Sequence, residues 1–138
     1  MNHLKIYLDI DGVLISKRNH QPVSNALALI DILTTHFDPF WLTRHCKGDN
    51  LQTLYYLANF YDQTFISLAS KIKPTNWNNH KTEAIDYTSD FFWIVDEPFN
   101  SEKLALEQKN CEDRLIHPKF NSTPDLISVV DFLKTQIS

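Results

Sequence analysis

Three short apolar runs, separated by stretches of helical periodicity, constrain this chain more than any other feature. They are Leu4–Leu8, Phe40-Trp41-Leu42 and Phe91–Val95, and each ends on a polar residue: Asp9, Thr43 and Asp96. A strand that is apolar at successive positions is buried on both faces, the mark of a parallel sheet covered by helices. The intervening segments supply the covers. From about Ser24, Leu27, Ile30, Leu33 and Phe37 share one helical stripe, and Asp38-Pro39 breaks it. Asp49 is placed to cap a second helix with Leu51, Leu54, Ala58 and Tyr61 inward. Residues 70–79 read as irregular, followed by a short helix from about Lys81 to Tyr87. Ser101–Asn110 reads as a further helix, and Thr123-Pro124 starts a last one bearing Leu126, Val129, Val130 and Leu133. Thr64–Leu68 and Leu115-Ile116 add two short strands. The expectation is one α/β domain over residues 1–138, a three-layer Rossmann-like sandwich around a mostly parallel five-stranded sheet.

Composition narrows the function. With 138 residues, 43% of them hydrophobic, the chain has enough material for one core. Its two glycines, Gly12 and Gly48, cannot build a Gly-rich dinucleotide or P-loop cradle. The net charge is −4, with the acidic surplus in residues 82–138, which argues against a dedicated duplex nucleic-acid-binding module. No apolar run reaches the roughly 20 residues of a membrane helix, and the first residues lack the pattern of a signal peptide. Cys46 and Cys111 are too few for a disulfide framework, and His45-Cys46 and Cys111…His117 lack zinc spacing. These features predict a cytoplasmic, reduced setting without membrane contact.

In open parallel sheets, ligands bind beyond the carboxyl ends of the strands. Asp9, Thr43 and Asp96 therefore fall on the expected binding edge. Asp9-Ile10-Asp11-Gly12 follows the first strand directly, and residues two apart in extended chain point the same way. Two carboxylates held close repel, and a divalent cation relieves them. The plain alternative is that both cap the following turn.

The motif Ile6-Tyr7-Leu8-Asp9-Ile10-Asp11-Gly12-Val13-Leu14 resembles the first motif of the haloacid dehalogenase superfamily. Phe40-Trp41-Leu42-Thr43 is similar to its second, a Thr or Ser ending a strand. Lys81 in His80-Lys81-Thr82-Glu83 fits the third, with Lys73 as the rival. Phe92-Trp93-Ile94-Val95-Asp96-Glu97 is similar to the fourth, an acidic pair ending a strand. The four stand in order across residues 4–97. Glu97 departs from the commoner Asp-Asp pair.

The resemblance implies a Mg²⁺-dependent phosphohydrolase. Asp9 would be the nucleophile forming an aspartyl-phosphate, and Asp11 the general acid and then base. Asp9, the Asp11 backbone carbonyl and Asp96 would bind Mg²⁺, with Glu97 reaching the metal through water or holding Lys81. Thr43 and Lys81 would contact the phosphoryl oxygens. The segments after Gly12 and Thr43 are too short for a cap domain unless residues 62–80 form a lid, which implies an open site for small or macromolecular phosphorylated substrates. Lys17, Arg18, His20, Arg44, His45 and Lys47 should lie on the same edge, with Arg44 best placed to bind substrate; solvated loop charge is the plain alternative. Trp77 reads as a loop anchor rather than a stacking platform. A second function from a different class is a non-catalytic phosphate- and Mg²⁺-binding regulatory domain. A phospho-receiver is disfavoured because Phe65-Ile66-Ser67-Leu68 ends on no aspartate, and a dehalogenase because it needs no second acid.

Overall fold

The computed structural model describes residues 4–118 and 124–137. Among them the sheet has four strands: β1 (Lys5–Leu8), β2 (Asp38–Trp41), β3 (Phe91–Ile94) and β4 (Leu115–Ile116). Their order is β2-β1-β3-β4 and every pairing is parallel. The five helices are α1 (Ala26–His36), α2 (Leu51–Leu57), α3 (Gln63–Ala69), α4 (Asn100–Gln108) and α5 (Ile127–Lys134), with a 3₁₀ turn at Lys81–Ala84. This is an α/β architecture with a parallel sheet flanked by helices, compatible with a Rossmann-like fold.

Alternation along β1 separates two cores. Ile6 and Leu8 face a cluster containing Leu29, Ile30 and Leu33 of α1, Phe65 of α3 and Val130 of α5. Tyr7 faces the other cluster, with Phe91 and Trp93 of β3 and Leu106 of α4. Both faces are thus buried, as the successive apolar residues Ile6-Tyr7-Leu8 of β1 and Phe91–Ile94 of β3 require.

The expected fifth strand is not formed. Thr64–Leu68 is the body of α3: the Asp62 carboxylate caps it by accepting from the Phe65 N–H, and Phe65 and Ala69, one helical turn apart, are the buried pair. What pairs with the free edge of β2 is a single parallel bridge between Phe40 and Lys73. There the Lys73 N–H donates to the Pro39 carbonyl at 3.1 Å and the Trp41 N–H to the Lys73 carbonyl at 2.8 Å. Pro74 has no N–H to extend the ladder.

Other boundaries shift for local reasons. Asp38-Pro39 does not merely break α1; it begins β2, where the missing proline N–H is tolerated near the sheet edge. Asn25, in left-handed conformation, occupies the N-cap of α1 rather than Ser24. The inner face of α2 is Thr53 and Leu57, and Leu51 is largely exposed. The expected helix after Lys81 is one 3₁₀ turn. Thr123 lies outside the described residues; α5 begins at Ile127, after Pro124-Asp125. No described helix is long and apolar enough to cross a membrane.

Candidate functional site

The carboxyl ends of β1 and β3 meet beside each other. The ladder runs past the strands, with the Asp9 N–H donating to the Ile94 carbonyl at 3.0 Å and the Leu42 N–H to the Leu8 carbonyl at 2.9 Å. After Asp9 the chain closes tightly: the N–H groups of Val13, Leu14 and Ile15 all reach the Ile10 carbonyl. Gly12 makes this closure possible. Its φ is +83°, and a Cβ there would lie 2.6 Å from the Cβ and 2.7 Å from an oxygen of Asp96. The loop carrying Asp9 and Asp11 therefore lies directly against Asp96.

Asp9 is almost buried, and both carboxylate oxygens are engaged. One accepts from the Ile10 N–H at 2.8 Å, the other from the Lys81 ammonium at 3.0 Å. Lys81 stands at the head of the 3₁₀ turn, whose entry is fixed by Glu83: its carboxylate accepts from the N–H groups of Asn78, Asn79 and His80, which hold it below the usual carboxylate range. The Lys81 ammonium lies 4.0 Å from Glu102 and 5.5 Å from the centre of the Trp93 ring. Glu102 is itself buried and accepts from the Phe99 N–H at 2.8 Å. Lys73 is far from this group; it pairs with Asp38 at the opposite end of β2.

Asp11 points elsewhere. One oxygen accepts from Arg44 Nε at 2.9 Å and lies 3.0 Å from His45 Nε2; the other accepts from the Tyr56 hydroxyl at 3.0 Å. An ionised carboxylate only accepts, so His45 carries its proton on Nε2. The His45 ring stacks on Tyr56 with centres 3.8 Å apart. Burial is the largest influence on Asp11 and pushes its carboxyl up, but His45, Arg44 and Tyr56 together outweigh it and hold the group below its ordinary value. The same contact, added to burial, pushes the Tyr56 hydroxyl up to about 12.

Asp96 shows the opposite balance. Burial first, then the charges of Glu97 and Asp9, push its carboxyl up, against the opposing pull of Lys17, 3.8 Å away, and of His117. Thr43 is fully buried and does not line the cavity; its hydroxyl accepts from the His45 N–H at 3.4 Å, and its carbonyl takes the Cys46 N–H. It starts the turn that presents Arg44 and His45.

A cavity of about 520 Å³ opens over this edge, and Asp9, Asp11, Lys17, Arg44, Lys81 and Glu102 are in its wall. His20 and Glu97 also line it, whereas Arg18 does not. Lys47 turns away to cover the Trp77 ring at 4.2 Å. Residues 62–80 do not form a lid: α3 packs into the core beneath α1, and only Trp77, Asn79 and His80 reach the rim.

Two residues of this edge are not singled out by the sequence motifs. Tyr56 reaches Asp11 across 45 positions. Glu102 stands three residues after Phe99 in a capping pattern, which was the one legible hint.

No protein-family model matches the chain, and no curated protein or solved structure does either. What the site can do rests on its own chemistry. Four carboxylates (Asp9, Asp11, Glu97 and Glu102) line the cavity with three permanent cations (Lys17, Arg44 and Lys81), and Asp96, which does not line it, lies 3.8 Å from Lys17. That surplus of negative charge would repel an incoming phosphate unless a divalent cation joined it. Among the described residues no three His, Cys, Asp or Glu side chains converge as a metal cluster. The hard oxygens that a divalent ion would meet here are the carboxylates of Asp9 and Asp96, at the ends of neighbouring parallel strands. Hard oxygens in small number suit Mg²⁺, which keeps several of its waters.

Proposed function

We propose that this chain is a Mg²⁺-dependent phosphomonoesterase of haloacid dehalogenase type, working through an aspartyl-phosphate on Asp9. The observation that carries this reading is the Asp9–Lys81 pair, 3.0 Å apart and mostly buried, in the wall of a cavity at the carboxyl ends of parallel strands. A carboxylate suited to attack and a cation suited to hold an anion stand side by side there. The order of the four sequence motifs supports the same reading.

Arg44 and Lys81 bind the phosphoryl oxygens, and Lys81 keeps its charge on them as the bond to the leaving oxygen breaks. The Asp9 oxygen now paired with Lys81 attacks phosphorus; the other, held by the Ile10 N–H, fixes the plane of the carboxylate. Asp9, Asp96 and the Asp11 backbone carbonyl would hold Mg²⁺, whose charge would offset that of the phosphate and the nucleophile. Asp11 gives a proton to the leaving oxygen and takes one from the water that cleaves the acyl phosphate. Thr43, behind the wall, acts through the turn it starts.

A second reading has its own observation. Asp11 is held as an anion by three donors, the wrong form for the first proton transfer. A phosphate- and Mg²⁺-binding domain without turnover would tolerate that; an enzyme must loosen the Arg44, His45 or Tyr56 contact when substrate arrives.

An assay on phenyl phosphate separates the two. Turnover with Mg²⁺, abolished by EDTA and by Asp9→Asn and reduced about 10²-fold or more by Asp11→Asn, is the expected result. Turnover that survives Asp9→Asn contradicts the nucleophile. No turnover over a broad phosphoester panel, with Mg²⁺-dependent phosphate binding intact, establishes the non-catalytic reading.

A further inference from the structure

The cavity is larger than its chemistry needs. A volume of about 520 Å³ lies in the range of sites that enclose most of a small organic ligand, roughly 300–1,000 Å³, well beyond a phosphoryl group alone. The polar groups around Asp9 and Lys81 account for the phosphate end. Two large aromatic residues, Trp77 and Phe99, also border the cavity.

Their settings differ in a useful way. Trp77 is half-buried against the Tyr7 and Trp93 core, with the Lys47 ammonium on its ring, so it is a fixed wall. Phe99 is 71% exposed, although its backbone is anchored by Glu102, the carboxylate that also faces Lys81. A single exposed phenylalanine is ordinary on a protein surface. This one stands in the wall of the cavity that holds the nucleophile, three residues beyond Asp96, on a backbone tied to the site. Arg44 adds a flat, largely exposed guanidinium to the same cavity.

We infer that the site selects phosphate esters whose organic group carries a flat aromatic ring, which stacks on Phe99 against the wall formed by Trp77. Aromatic pairs gain from ring electrostatics beyond the area they bury, so a planar ring is favoured over a saturated ring of similar bulk. The inference rests on the phosphomonoesterase reading for the identity of the charged end, but its test reads binding and does not need turnover.

Benzylphosphonate and cyclohexylmethylphosphonate, whose C–P bonds are not hydrolysed, carry a flat aromatic and a puckered saturated six-membered ring on the same phosphonate. Their dissociation constants, measured by calorimetry on the full chain with Mg²⁺, are expected to favour the benzyl compound about 3- to 10-fold. Phe99→Ala should erase that difference and Phe99→Tyr should keep it; because Phe99 is exposed, both variants should fold, which circular dichroism checks. Equal affinities in the natural chain, a preference undiminished in Phe99→Ala, or no binding of either compound overturns the inference. Hydrolysis of benzyl phosphate is followed in parallel. A ring preference without turnover of benzyl phosphate or of the phosphoester panel upholds the inference and removes the enzymatic reading; turnover without a ring preference does the reverse.

Discussion

Asp11 is the residue whose environment says most about how the site is poised. Two oxygens take contacts from three side chains on two separate segments, and the net effect is to hold the carboxyl below its ordinary value despite burial. Its folded value therefore lies below the unfolded value of about 3.9. The stability Asp11 contributes is fully present above that pH and is lost as pH falls through the folded value. Urea midpoints of the natural chain and Asp11→Asn, measured from pH 7 downwards, should differ most at neutral pH and converge below about pH 4. A gap that stays constant with pH contradicts the ionised, triply held Asp11. Tyr56→Phe should narrow the neutral-pH gap, because its hydroxyl stays a donor throughout that range.

At the scale of elements, the site depends on how closely the loop after β1 lies against the loop after β3. Gly12 sets that approach. Gly12→Ala must hold an alanine at a φ of +83° and force its Cβ against Asp96. The backbone strain alone costs about 1–2 kcal/mol, and the clash moves Asp96. Lower thermal stability together with lower Mg²⁺ affinity is expected; a drop in stability with unchanged Mg²⁺ affinity would remove Asp96 from the proposed Mg²⁺ ligands. The ends of β1 and β3 were legible in the sequence because each is a local apolar run closed by a carboxylate. Thr64–Leu68 reads as a strand, but forms α3, for an equally local reason. Thr64, Phe65 and Ile66 are strand-favouring residues, but the Asp62 cap and the four-residue spacing of Phe65 and Ala69 decide for a helix. The contacts of Asp11 with Tyr56 and of Lys81 with Glu102 were not legible, since neither spacing nor periodicity reports which side chains meet across a sheet edge.

Across the whole molecule, the two cores have unequal parts in function. The cluster under Tyr7 carries Trp93, whose ring lies beneath the Lys81 ammonium, and it also packs Trp77. The larger cluster holds α1, α3 and α5 against the other face. Trp93→Ala and Leu29→Ala both open fully buried positions, at a cost of about 2–5 kcal/mol each. Only Trp93→Ala should also depress the activity of the molecules that remain folded, because it removes the floor under Lys81; equal activity per folded molecule in the two variants contradicts that division. The most direct test of the chemistry is chemical trapping of the covalent intermediate. The natural chain, acid-quenched during turnover of phenyl phosphate with Mg²⁺ and reduced with borohydride, should yield homoserine in place of aspartate at position 9 on peptide mass spectrometry. Rapid phosphate release with position 9 always recovered as aspartate, or homoserine at another carboxylate, would contradict Asp9 as the nucleophile.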